Sequence, residues 1–523
     1  MTESFIALEI HDVSLWEPSR VLPLLQTMQN WGYNALVLHQ NDILDCCTQL
    51  GLTANYGVSD LRLKKVRNNV AWLNDLTRRL ADIGARLFLE IKEPSFHDYA
   101  LEPYPHLIGP DGLPDPMHPD WPRFCQDKTA DLLARVPDLG GLIITLSSPE
   151  SRVSLPDYLA TAGQGKDIGI WFDDMIAAFH SPLSAAGKSL YIRDFSYTAE
   201  MASDVLAAVN RCGGAVGASV KITAHDYFPD YPENPAAGLV KAPLIFEFEA
   251  FGEHMGWGVI PNCRVGEFQQ RLHSYHDRKA TGLLMRTSWE AITGTSALDS
   301  LSAVNVFALP HMIKTGSDPR QAICAWLDQG HDLRGETASQ AADLMLQSWH
   351  IPAAAYWDGQ VFPRHSCLPS SWQEGWLSMT SDGMGRRDRD LRISPNDPRL
   401  TDQAGQALFE AKDKAVALAH NLSQQADAIR PHLPSGLAQQ FRAFQWIAPF
   451  AEQFAHATKA TFHAARASCA AADDLDQVAH NRRSLLELAD RLQTRLDADT
   501  ELPHHHRMLF DPDQIRLFCT SLP

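Results

Sequence analysis

The sequence predicts an eight-stranded parallel (β/α)8 barrel followed by a C-terminal α-helical domain, and three observations carry that reading. Eight short apolar runs recur between residues 4 and 287. Segments with apolar residues at helical spacing lie between them, several ending in glycine. Beyond residue 330 the short runs stop, and the chain turns first loop-rich and then Ala, Leu and Gln rich. Strands that alternate with helices pair in parallel, and eight such units suit a closed barrel better than an open doubly wound sheet. No G-x-G-x-x-G follows an early strand to favour the open alternative.

The runs are SFIALEI (4–10), NALVLHQ (34–40), ARLFLEI (85–91), GLIITLS (141–147), SLYIRDF (189–195), ASVKITA (218–224), LIFEFEA (244–250) and TGLLMRT (281–287). The stretches VLPLLQTMQNWG and NNVAWLNDLTRRLADIG read as intervening helices. The barrel is expected over 1–330, a Gly, Pro, Ser and aromatic-rich connection or insertion over 331–400 that lies near a pocket, and the helical domain over 401–523. That last domain is also the expected surface for a homodimer.

A net charge of −18 argues against nucleic acid or an anionic membrane as partner, since either needs a basic face. No run of about twenty apolar residues predicts a membrane span. The start MTESFIALEI lacks a basic, then apolar, leader, and nine cysteines without C-x-x-C spacing suit reduced thiols, so a cytoplasmic location is expected. The tract His504 to His506 is expected on the surface, because three successive histidines cannot face one ion in regular structure. No metal and no cofactor are expected.

Polar residues interrupt the later strands. Glu247 and Glu249 stand at i and i+2 in LIFEFEAFGE, on one side of an otherwise apolar strand, where a carboxylate without partners is costly. Glu150 follows strand four, Arg193 lies in strand five, and Lys221 lies in strand six with Asp226 five residues on. Barrel sites form at the C-terminal strand ends, so these residues are expected to share one mouth. The carboxylates Glu150, Asp226 and Glu247 there suit glycosidic cleavage, in which one carboxylic acid protonates the leaving oxygen and a carboxylate opposite activates water or attacks the sugar. Arg193 and Lys221 then suit a carboxylate on the sugar itself. Glu249 reads as a supporting hydrogen-bond partner. Trp257 and Trp289 are candidate sugar-stacking faces, and His39 and His254 are candidate pocket residues. Glu90, Lys92 and Glu93 read either as a salt-bridged layer or as outer subsites.

The segments KITAHDYFPDYPENPAAG and IFEFEAFGEHMGWG resemble the sixth- and seventh-strand signatures of the family 67 α-glucuronidases. Lys221 and Asp226 match the first signature, and Glu247, Phe248, Glu253 and Gly256 the second. The resemblance covers roughly residues 1 to 330, more weakly at the eighth strand around Trp289. It implies an exo-acting inverting hydrolase that removes a terminal α-linked glucuronic or 4-O-methylglucuronic acid from short oligosaccharides, such as those from xylan. Glu150 would be the acid, with a raised pKa, Asp226 and Glu247 would activate water, and Arg193 and Lys221 would hold the uronate. Two features depart from the family. Members usually carry an α/β-type domain ahead of the barrel, whereas this sequence reaches its first strand at residue 4. Members also place a lysine four residues before the catalytic acid, where TLSSPE offers no cation. The alternative is a sugar-acid lyase or isomerase with Lys221 as base and a carboxylate-bound metal; a non-catalytic sugar-acid binder is a third possibility.

Overall fold

The computed structural model describes residues 4–49, 60–97, 104–110, 112–146, 148, 150–155, 168–196, 199–224, 227, 232–252, 259–289, 295–356, 368–380, 393, 396–469, 474–499, 502 and 504–523. Eight parallel strands close into a barrel in chain order: β1 Phe5–Ile10, β2 Ala35–His39, β3 Arg86–Glu93, β4 Gly141–Leu146, β5 Ser189–Arg193, β6 Gly217–Lys221, β7 Leu244–Glu249 and β8 Gly282–Arg286. Each falls within or beside its predicted run. Parallel neighbours need long crossovers, supplied here by the helices Pro18–Trp31, Asp60–Asp82, Trp121–Arg135, Ile168–Ala185, Ala199–Arg211 and Val265–Asp277. Between β6 and β7 the described connection holds only a 3-10 turn, Pro235–Leu239.

The register explains how the N-terminal end of the barrel is filled. Phe5, Phe88 and Tyr191, from alternate strands, meet with ring centroids 4.9, 5.3 and 6.4 Å apart. Their in-register neighbours are Gly282, Gly141 and Gly217. A Cβ on Gly282 would collide with the Phe5 carbonyl, and one on Gly217 with the Tyr191 ring. Large residues on odd strands and none on even ones is how a barrel interior accepts aromatic side chains in layers.

The chain divides into two compact units, 1–224 with 233–248 and 273–295, and 225–232 with 249–272 and 296–523. The second is helical. Its central helix, Ile447–Ser468, buries Phe450, Phe454 and Phe462 and an alanine face between the helices Asp402–Ile429 and Asp474–Ala498. The helices Ala303–Thr315 and Pro319–His331, counted with the barrel in the sequence reading, group with this unit. Residues 357–367 and 381–392 of the loop-rich connection lie outside the described residues, whereas Trp372–Thr380 is a helix. The histidine tract differs from expectation: it forms a helix, His504–Leu509, in which His504 is exposed but His505 is buried. No helix among the described residues is long and apolar enough to cross a membrane.

Candidate active site at the C-terminal mouth of the barrel

Successive inward positions alternate along a strand. The register therefore aligns Glu9 (β1), His39 (β2), Glu90 and Lys92 (β3), Thr145 (β4), Arg193 (β5), Ser219 and Lys221 (β6), Glu247 (β7) and Arg286 (β8) on the inner face. Apart from Thr145 and Ser219, every one is ionisable, and all are buried. The bottom of the barrel is aromatic; its upper interior is a charged assembly.

The assembly is continuous. Arg193 donates through Nε to both oxygens of Glu247 at 2.9 Å, and its Nη2 lies 2.9 Å from Glu247 Oε2. The same Nε lies 3.1 Å from Glu90 Oε1. Ser219 Oγ donates to Glu247 Oε1 at 2.7 Å. His39 Nδ1 stands between Glu90 Oε1 at 3.2 Å and Glu9 Oε1 at 2.8 Å, and Arg286 Nε lies 3.4 Å from Glu9. Burial drives the Glu247 carboxyl upward, but the charge and hydrogen bonds of Arg193, the Ser219 hydroxyl and the Lys221 charge outweigh it and hold it down at about 2. Glu90 goes the other way: burial raises it, Glu9 and Glu247 add to the rise, and Arg193 only partly opposes it.

Above this layer, Lys92 pairs with Glu150. Lys92 is buried, whereas the Glu150 side chain is 43% exposed. Burial raises the Glu150 carboxyl, yet the charge and hydrogen bond of Lys92, with the fields of Lys221 and Arg193, leave it lowered. The lowered Glu150 carboxyl is the opposite of the raised pKa expected from the sequence, because Lys92 stands beside it. The cation beside Glu150 comes from β3, since TLSSPE itself offers none. Phe195, just past β5, gathers the cations, with Lys221 Nζ at 4.3 Å, Lys92 Nζ at 5.0 Å and Arg193 Cζ at 5.1 Å from its ring centroid.

Four sequence candidates, Glu150, Glu247, Arg193 and Lys221, are therefore brought together. Glu249 is buried, and its Oε1 accepts from the backbone amides of Phe251 and Gly252, so it holds the turn after β7. Trp289 is buried three residues past β8. Asp226 and Trp257 lie outside the described residues. Glu93 points away from the interior to Lys128 Nζ at 2.8 Å, which also meets Asp45 at 2.9 Å. That buried trio ties β3 to the helix Trp121–Arg135. Sequence reasoning passed over Glu9 and Arg286. The missed signal was the alternation itself: in ALEI and LLMR a charged residue falls on the inner parity near the strand end, as in IFEFE.

Glu9, His11 and His39 each bring a donor atom within 4.8 Å of the others, the ordinary spacing of metal ligands. The two imidazoles are stacked, with centroids 3.6 Å apart and planes 10° from parallel. Stacked rings send their in-plane lone pairs side by side rather than to one centre, and both Nδ1 atoms face the same Glu9 oxygen, at 2.8 and 3.6 Å. The arrangement is that of a hydrogen-bonded set rather than a chelate.

No family model and no curated protein matches the sequence. Among solved structures, a GH138 enzyme targeting pectin rhamnogalacturonan II is similar over 99% of this chain, at TM-score 0.66 and 11% identity. The chain spans 66% of that structure's length. A glycoside hydrolase shares this fold. A GH20 exo-β-N-acetylglucosaminidase from Vibrio harveyi covers 59% of this chain and 54% of its own at TM-score 0.35 and 11% identity. A β-N-acetylhexosaminidase from Bacteroides fragilis covers 59% and 65% at 0.36 and 13%.

Proposed function

We propose that the protein is an exo-acting glycoside hydrolase that removes a terminal α-linked uronic acid from short oligosaccharides. The observation that carries the reading is the composition of the mouth: Glu150 from the end of β4 and Glu247 from β7 stand around a cluster of Lys92, Lys221 and Arg193 on Phe195. A neutral sugar has no use for such a cluster, whereas a sugar carboxylate does.

Lys92 and Lys221 hold the carboxylate, while Arg193, committed to Glu247 and Glu90, fixes the floor beneath it. Glu150 protonates the glycosidic oxygen. A uronate that draws Lys92 toward itself removes the main charge holding the Glu150 carboxyl down, so the acid regains its proton as substrate arrives. Glu247, with Asp226, positions and deprotonates water for a single displacement that inverts the anomeric centre.

Because the cations read the carboxylate and not the C4 epimer, aryl α-glucuronide and aryl α-galacturonide both belong in the test, beside the matching neutral glycosides. Turnover of a uronoside with the β-anomer released first, seen by proton NMR, is the expected result. Preference for a neutral glycoside defeats the carboxylate reading, and net retention removes the water-activating role. The alternative is a sugar-acid lyase or isomerase with Lys221 as base and a metal bound by carboxylates of the mouth. Loss of activity in chelator, restored by a divalent cation, would select it. Exposed Leu475, Leu486 and Leu517 on the C-terminal helices support self-association through that unit, which sedimentation would detect.

A further inference from the structure

His39 has no part in the reaction just described, yet its surroundings give it a defined chemistry. It is the last residue of β2, on the inner face, and 1% exposed. Two carboxylate oxygens, Glu9 Oε1 at 2.8 Å and Glu90 Oε1 at 3.2 Å, face its Nδ1. Carboxylates accept, so Nδ1 carries the hydrogen and Nε2 of the neutral ring is a bare acceptor. His11 stacked on one face leaves the ring little freedom to turn. Nε2 itself meets no hydrogen-bond partner among the described residues.

A buried acceptor left unmet is costly, which is why such atoms usually find a donor in protein, water or ligand. The other charged groups near His39 are the anions Glu9 and Glu90 and the cations Arg193, Arg286 and Lys92. The cations can only donate, and the oxygens of Glu9 and Glu90 nearest the ring are engaged by it. A sugar must have hydroxyl protons received as well as hydroxyl oxygens met, and Nε2 is the neutral ring acceptor of this layer able to receive one, beside Glu90 Oε2 and the Thr145 hydroxyl.

We propose that His39 is the hydroxyl acceptor of the terminal-sugar subsite: Nε2 receives a hydrogen bond from one ring hydroxyl of the bound sugar, with the imidazole locked in orientation by Glu9 and Glu90. The identity of the ligand rests on the hydrolase reading; the tautomer does not. Burial, then the neighbouring His11, Arg193, Arg286 and Lys92, also lowers the imidazole pKa, so the acceptor stays unprotonated at neutral pH.

Two measurements on the full chain separate these layers. Long-range ¹⁵N NMR of histidine-labelled protein should show His39 as the Nδ1–H tautomer with an unprotonated Nε2, unchanged from pH 5 to 8. Saturation with D-glucuronate or D-galacturonate should then move the Nε2 resonance upfield. An Nε2–H tautomer overturns the proposal outright. Binding of either uronate with Nε2 unmoved overturns the role of His39 while leaving the hydrolase reading intact, and the site is then a water site only. Failure of both sugars to bind overturns the ligand and the hydrolase reading together.

Kinetics supplies the second arm, with a series of monodeoxy aryl uronosides. His39→Phe should lower kcat/KM on the parent roughly 10- to 100-fold, the scale of one hydrogen bond to a buried group. For one deoxy position, wild type should show that same loss and His39→Phe no further loss. Additive losses at every position overturn the proposal. His39→Gln, which keeps an acceptor oxygen, should recover part of the parent activity.

Discussion

Replacing Arg193 by methionine distinguishes a floor residue from a substrate ligand. The guanidinium is buried and serves two carboxylates that are themselves buried, Glu247 at 2.9 Å and Glu90 at 3.1 Å. Removing one partner of a buried pair strands the other charge, at a cost of about 3–5 kcal/mol. Glu90, already pushed upward by burial, can take a proton and escape; Glu247, which Arg193 holds near 2, bears most of the loss. Arg193→Met should therefore lower native-state hydrogen-exchange protection of the β5, β6 and β7 amides by roughly two to three orders of magnitude. The double variant Arg193→Met, Glu247→Leu should regain much of it, since an apolar pair of similar volume is often as stable as a buried ion pair. A single variant that keeps full protection and only raises KM for a uronoside would refute this placement and make Arg193 a ligand of the sugar.

Acid titration should expose the same pair from the other side. Glu247 is depressed from 4.5 to about 2, so it contributes about 3 kcal/mol above pH 4.5 that disappears as pH falls toward 2; Glu90 is raised and adds no loss in that range. A flat stability profile across that window, by urea titration, would contradict it. Lys92→Gln should move the alkaline limb of kcat/KM to higher pH, because the acid must be protonated and loses the cation that lowers it; an unmoved or lowered limb would remove Glu150 as the acid. In the helical unit, burial and then the neighbouring His504 hold His505 at about 4, against 6.5 in the unfolded chain. Its contribution is present above pH 6.5 and falls by about 2 kcal/mol at pH 5, so His505→Phe should flatten the loss of helical stability between those values.

The strands were legible because each apolar run is bounded on both sides and eight of them fit one closed topology. Within the site, legibility followed conspicuousness. Glu247 and Lys221 stand out because their neighbours are apolar, and both lie inward as expected. Arg193 was legible as an inward cation, but which anion it meets depends on Glu90, contributed from another strand, and no single run announces that. Lys92 was legible as part of a salt-bridged layer or an outer subsite without a choice between them, because its partner Glu150 lies 58 residues away. Glu249 shares parity with Glu247, and only the backbone turn at Phe251 and Gly252 shows where its oxygen goes. His505 could not be read from HHH, since burial of one ring in the tract depends on tertiary packing.

The mouth then resolves into two layers with different freedom. In the lower one, Glu9, His39, Glu90, Arg193 and Glu247 are buried and paired in a chain, and removing Arg193 strands a charge. Such a layer is preorganised: it cannot reorganise at the moment of reaction, which is the condition under which fixed charges stabilise a transition state well. In the upper layer Lys92 is buried but its partner Glu150 reaches solvent, so the pair can be parted without leaving a carboxylate in an apolar interior. An anion arriving from solvent meets the exchangeable pair first and the locked one only beneath it. On the proposed function, the rigid layer would orient the sugar and the exchangeable layer would sense its charge. A neutral glycoside would be oriented but would leave Lys92 on Glu150, so Lys92→Gln, which frees the acid to take its proton, should raise its rate near neutral pH while lowering that of a uronoside, which loses a carboxylate ligand.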